Sequence, residues 1–169
     1  TAFYPLGGGQ PSDKGTLKGN SGAVVVSDVR IEKGVVVHFG KMEGSIAEGE
    51  TVTGSIDWDR RYGLMRNHTL AHLMAEAVRK ATGLSGEVVG SGLDVDKARL
   101  DIANQSSLGP FLAQIQKVAN SVIKENRPVE IMTLQRSGAE EYVARFHENL
   151  KTLPPHVQSV RIIEVKDWH

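Results

Sequence analysis

The spacing of apolar positions changes once along the chain, near residue 56. Before it, β-branched residues cluster in Ala23-Val24-Val25-Val26, Gly34-Val35-Val36-Val37-His38-Phe39 and Thr51-Val52-Thr53-Gly54-Ser55-Ile56. Gly19-Asn20, Glu32-Lys33-Gly34 and Glu48-Gly49 carry turn chemistry, which predicts short strands joined by tight turns. Strands at that spacing suit a small barrel or a curled antiparallel sheet. After it, Leu64, Met65, Ala71, Leu73, Met74, Val78 and Ala81 recur at mostly helical intervals. Asp57 or Asp59 is placed to cap this helix and Gly83 to stop it.

Two strands follow, 87–91 and 98–102, joined by a turn at Asp94-Val95-Asp96-Lys97. A second helix over about 107–125, with Ser107 as cap and Pro110 in its first turn, would bury Phe111, Leu112, Ile115, Val118, Ala119, Val122 and Ile123. A strand at 129–134 comes next, then a short helix opened by the capping box Ser137-Gly138-Ala139-Glu140. Pro154-Pro155 breaks the chain before a last strand at 160–165. The expected class is α+β. A small glycine-rich β-barrel-like domain would occupy 1–56. An α+β domain with a central antiparallel sheet and helices on one face would occupy 57–169.

Composition narrows the function. Twenty Lys+Arg balance twenty Asp+Glu, which argues against tight nonspecific binding to phosphates, a task that usually brings a basic surplus. Without cysteine, the chain can form no disulfide framework, catalytic thiol or all-thiolate metal site. No apolar run approaches the roughly 18–20 residues that span a bilayer, and no signal peptide opens the chain. The expectations are no membrane partner and a cytoplasmic setting. The chain begins Thr1-Ala2-Phe3 without methionine, as a trimmed or excerpted product would.

Two segments carry candidate chemistry. In Arg66-Asn67-His68-Thr69-Leu70-Ala71-His72, the histidines stand four apart on the predicted helix, so their rings leave one face a turn apart. Two imidazoles so spaced can reach one zinc ion. Zinc proteases place a glutamate base after the first histidine; here Thr69 takes that position. An isolated pair also arises by chance, and a site needs further ligands. The other segment is Phe3-Tyr4-Pro5-Leu6-Gly7-Gly8-Gly9-Gln10-Pro11. Its glycines permit positive φ and close approach of a ligand to backbone, and Gln10 adds an amide donor and acceptor. It lacks the P-loop and GxGxxG spacings. A tight turn between strands is the plain alternative.

Together these segments resemble the alanyl-tRNA editing family, which comprises the free-standing AlaX proteins and the editing domain of alanyl-tRNA synthetase. The resemblance runs in order from Phe3-Tyr4-Pro5-Leu6-Gly7-Gly8-Gly9-Gln10-Pro11-Ser12-Asp13-Lys14-Gly15 through Asp57-Trp58-Asp59-Arg60-Arg61-Tyr62 to Arg66-Asn67-His68-Thr69-Leu70-Ala71-His72-Leu73. It continues through Val89-Gly90-Ser91-Gly92-Leu93, Lys97-Ala98-Arg99-Leu100-Asp101-Ile102, Glu125-Asn126-Arg127-Pro128-Val129 and the segment from Val160 to Trp168.

The resemblance implies zinc-dependent hydrolysis of mischarged alanine-tRNA, releasing serine or glycine from the acceptor end of tRNA(Ala). It implies His68 and His72 as ligands of one zinc ion, and Gly8, Gly9, Gln10, Thr69 and Ser91 as residues of the substrate pocket. Thr69 and Gln10 are its candidate readers of a substrate hydroxyl. Arg60, Arg61, Arg66, Arg79, Lys80, Lys97 and Arg99 are candidate tRNA contacts. In the family, the remaining zinc ligands come from a Cys-x-x-x-His segment past the strand matching Val160–Asp167. This chain has no cysteine and ends at His169, so an incomplete metal site is expected, or one rewired through His156 or His169. The other readings are an editing-domain fragment of an alanyl-tRNA synthetase and a non-catalytic tRNA- or protein-binding module. The oligomeric state is left open.

Overall fold

The computed structural model describes residues 1–103, 107–146, 149–151 and 153–168. His147 and His169 lie outside them. The chain divides into two compact units, one of Thr1–Ala71 with Val88–Ile102 and one of His72–Glu87 with Ala103–His169. The class is α+β, with three α-helices and antiparallel sheets among the described residues.

In the first unit, strands β1 (Gly15–Lys18), β2 (Ser21–Glu32), β3 (Val35–Ser45) and β4 (Thr53–Ile56) form one antiparallel sheet in the order β3-β2-β1-β4. Among the described residues its edges do not pair, so the expected barrel is an open sheet. The central strand β1 and the edge strand β4 each have only four residues, too few to carry the shear that closure demands. Phe3, Val26 and Val29 form the buried cluster, with Leu17, Val24 and Ile56 packed against it.

β2 and β3 run well past the expected β-branched segments. Their ladder shifts register between Val26 and Asp28, a bulge that interrupts the alternation. Val25, Ile31, Val35 and Met42 are exposed, so a two-residue repeat marks little of the buried side. The turn is as expected: Lys33 and Gly34 both have positive φ, as the mirror-image turn of a two-residue hairpin requires.

Helix α1 (Trp58–Thr82) begins and ends where its signals fall. Asp57 Oδ1 accepts the Arg60 N–H at 3.1 Å, satisfying one donor of the first turn. Gly83, at φ +72°, donates its N–H to Arg79 O at 2.9 Å. The strand pair β5 (Val88–Leu93) and β6 (Ala98–Ile102) is held to α1 by Asn67, whose Nδ2 donates to Asp94 O at 2.7 Å and Val95 O at 2.8 Å.

In the second unit, a 3-10 turn at Gly109–Phe111 leads into α2 (Leu112–Lys124). Ile115, Ala119 and Val122 are buried, but Phe111, Leu112 and Ile123 are exposed, so the apolar face is narrower than the sequence predicts. Ser107 Oγ accepts the Gly109 N–H at 3.1 Å, but the N-cap positions are Leu108 for this turn and Phe111 for α2, so the expected cap at Ser107 is displaced. β7 (Val129–Gln135) pairs with β8 (Ser159–Val165), and α3 (Arg136–Ala144) lies between them in sequence. α3 starts directly from the end of β7, so Gln135 is its N-cap and makes no side-chain cap bond. The expected capping box at Ser137 therefore sits inside the helix. β5-β6 and β7-β8 are separate two-stranded sheets, not one central sheet. Ala139, Val143, Val160 and Ile162 form a buried cluster with Met132, Leu134, Tyr142, Leu150 and Leu153 around it.

Candidate active site

The glycine-rich opening is a closed turn. Gly7 N donates to Gln10 O at 3.2 Å and Gln10 N donates to Gly7 O at 3.0 Å. The central residues Gly8 and Gly9 have φ +59° and +76°, a conformation glycine adopts without steric penalty. At Gly9 space also decides, because a Cβ there would lie 2.9 Å from Ser91 Oγ. At Gly8 a Cβ would meet Tyr4 Oη at 3.6 Å and His68 Cε1 at 4.0 Å. Bare backbone thus faces the imidazole of His68 and the hydroxyl of Ser91.

Gln10 is buried at 4% exposure, and its Oε1 stands 3.0 Å from His68 Nδ1. An amide oxygen can only accept, so Nδ1 carries the proton, and in the neutral ring Nε2 then has the lone pair. Metal-binding histidines commonly have this arrangement, with the second ring N–H fixed by a carbonyl. Ser91 reaches the turn from β5, whose ladder with β6 shifts between Val88 and Gly90, a bulge that re-aims the strand.

What holds the turn in place is a clasp that the sequence analysis did not single out. Asp13 is buried at 1% exposure and its Oδ2 accepts the Tyr4 N–H at 2.7 Å. Its carboxylate also accepts Arg61 Nε at 2.9 and 3.0 Å, with a further close contact from the Arg61 terminal nitrogen. Arg61 donates to Ala2 O at 2.9 Å as well, and Arg60 donates to Ser12 O at 3.3 Å. The hydrogen bond to Asp13 raises the Arg61 pKa above its ordinary value. Beside this clasp, Ser12 Oγ donates to Asp28 Oδ1 at 2.6 Å. That bond, followed by the one from Arg30, lowers the Asp28 pKa.

The structure therefore brings Gly8, Gly9, Gln10, His68 and Ser91 together. Thr69 and His72 are exposed positions of α1, and His72 follows His68 by one turn of that continuous helix. Among the described residues no group of three His, Cys, Asp or Glu side chains could hold a metal ion. Imidazole suits zinc in kind, and His68 and His72 would offer two donors of a set that needs more. Of the basic candidates, Arg60 and Arg61 hold the opening loop, Arg79 and Lys80 pair with buried Glu76, and Arg99 pairs with Asp101. Arg66 and Lys97 are exposed. No helix is long and apolar enough to cross a membrane among the described residues.

The amino-acid sequence matches known proteins along nearly its whole length. The family profile described as tRNA synthetases class II (A) matches residues 1–60. The alanyl-tRNA editing protein AlaX-M of Methanosarcina acetivorans is 36% identical over 98% of this chain and 70% of its own length. The alanine–tRNA ligase of Pyrobaculum aerophilum is 41% identical over 83% of this chain and 16% of its own length. That of Pyrococcus abyssi is 38% identical over 99% of this chain, again a small share of the ligase at 18%. The chain belongs to the alanyl-tRNA editing family.

Proposed function

We propose that this chain hydrolyses the ester of mischarged alanine-tRNA, freeing serine or glycine from the acceptor end of tRNA(Ala) with the help of one zinc ion. The observation that carries this reading is the Gln10–His68 hydrogen bond at 3.0 Å. It fixes the tautomer of an imidazole beside an open glycine backbone. His68 and His72 would hold the zinc, whose chemistry would be to polarise the ester carbonyl and lower the pKa of water.

The remaining work belongs to this chain. The backbone of Gly8 and Gly9 admits the aminoacyl group close to His68, where a side chain at residue 9 would collide with Ser91 Oγ. Gln10 keeps the proton on Nδ1 and leaves the electron pair on Nε2. Water adds to the ester carbonyl, the bond to the ribose oxygen breaks, and the products are the free amino acid and a 3′-terminal tRNA hydroxyl. Thr69 and Gln10 would be the readers of a serine hydroxyl, with Ser91 in the pocket wall. For serine, such a bond can favour the substrate over an analogue lacking it by roughly 10⁴–10⁵, which would spare alanine; glycine gains nothing from it.

The ligase matches support a second reading, in which the same site edits within an alanine–tRNA ligase; the length of the open reading frame separates the two. The test uses the purified protein with zinc, with zinc removed by chelation, and with zinc restored, on Ser-tRNA(Ala) and Ala-tRNA(Ala). Zinc-dependent release of serine with little release of alanine is expected. Gln10→Ala should lower the rate or the zinc affinity about 10–100-fold, the usual loss for a residue orienting a ligand. Serine release that is absent, or unchanged by zinc removal, would sink the proposal.

A further inference from the structure

One face of α1 carries an aromatic ladder that the proposed hydrolytic site leaves unused. Trp58, Tyr62 and Arg66 follow one another at intervals of four residues, so each stands about 6 Å further along the helix than the last. Trp58 and Tyr62 are 57% and 52% exposed. Their rings are nearly parallel, with centroids 6.3 Å apart and planes 21° from each other. The Arg66 guanidinium lies over the Tyr62 ring, 5.7 Å from its centroid. Among the described residues Arg66 joins no ion pair, whereas Arg60 and Arg61 are engaged by Ser12 and Asp13. The next exposed position of this face is Thr69, beside His68.

Two exposed aromatic planes with an available guanidinium leading to a reactive end make a surface for unpaired nucleotides. Bases stack on such rings whatever their sequence, and arginine adds both a stacking plane and a charge for phosphate. We propose that Trp58, Tyr62 and Arg66 form the platform for the single-stranded 3′ end of the RNA whose ester the site hydrolyses. This assignment rests on the function proposed above. It also accommodates the balanced charge of the chain, twenty Lys+Arg against twenty Asp+Glu. Stacking and one arginine at the strand end do what a broad basic surface does elsewhere.

The test measures binding of a tRNA(Ala) transcript, with and without its unpaired 3′-terminal nucleotides, by the full chain and its variants. Trp58→Ala and Tyr62→Ala should each weaken binding of the intact transcript about fivefold or more, the scale of one base–aromatic stack. Trp58→Phe and Tyr62→Phe should stay within about twofold. All proteins should bind the trimmed transcript alike. On Ser-tRNA(Ala) the alanine variants should raise KM and leave kcat near wild type. Hydrolysis with unchanged KM in both alanine variants would overturn the platform and leave the hydrolytic function standing. Loss of binding through these residues, in a protein that releases no serine, would uphold the platform and sink that function. Alanine variants that change sedimentation but not RNA binding would make the face a contact between copies of the chain, and the platform would be wrong.

Discussion

Removing the Asp13 carboxylate should unfasten the opening loop from α1. In Asp13→Ala, the Tyr4 N–H loses its acceptor and the Arg61 guanidinium its counter-charge. Breaking a buried pair in this way costs about 3–5 kcal/mol, because the remaining charge is left uncompensated. The Arg61 side chain is 19% exposed and keeps its bond to Ala2 O, so water relieves part of the cost. The lower end of that range, about 3 kcal/mol, is the expected loss. With a urea m-value of about 2–3 kcal/mol/M, the unfolding midpoint should fall by about 1–1.5 M. Equilibrium unfolding followed by far-UV circular dichroism measures it, with Arg61→Met and the double variant completing a cycle. The double variant should recover much of the loss, since the unpaired charge goes with its partner. A midpoint shift below about 0.3 M in Asp13→Ala, or strictly additive single effects, would refute the clasp.

Other expectations follow from the same contacts. Gly9→Ala should lose about 1–2 kcal/mol for its left-handed backbone plus a collision with Ser91 Oγ; adding Ser91→Ala should recover the steric part alone, as thermal or urea unfolding would show. Asp28 has a folded-state pKa below its ordinary 3.8, so its contribution is complete above that value and is lost as pH falls through the lowered one. The stability difference between wild type and Asp28→Asn should therefore be largest near neutral pH and vanish in acid; a gap unchanged down to about pH 2 would contradict the Ser12 bond as its cause. Leu64, at 0% exposure, should cost about 2–5 kcal/mol when cut to alanine.

The long helix was legible because its signals agree: Asp57 at the start, Gly83 at the end and apolar residues at helical spacing between. β1 was not, since Gly15-Thr16-Leu17-Lys18 offers one apolar residue, and its place at the centre of a sheet comes from neighbours on both sides. The full lengths of β2 and β3 were hidden by the bulge and by exposed valines and isoleucines, which blur an inside–outside pattern. Gly8, Gly9, Gln10, His68 and Ser91 could be named from the resemblance, and the structure places them side by side. Asp13 went unremarked because an aspartate in a glycine-rich loop reads as turn chemistry. Its burial appears only once Arg61 is beside it. Trp58 and Tyr62, four apart on a helix, usually mean core; only their exposure marks them as a surface.

The separations along the chain order events during synthesis. The Gly7–Gln10 turn closes on itself and can form as soon as its residues leave the ribosome. Its clasp waits for Arg61, 48 positions after Asp13, and its imidazole comes 58 positions after Gln10. Ser91 comes later again. A nascent or prematurely ended chain thus displays a finished loop with nothing to set against it, and under the function proposed above a truncated product would lack the imidazole that the reaction needs.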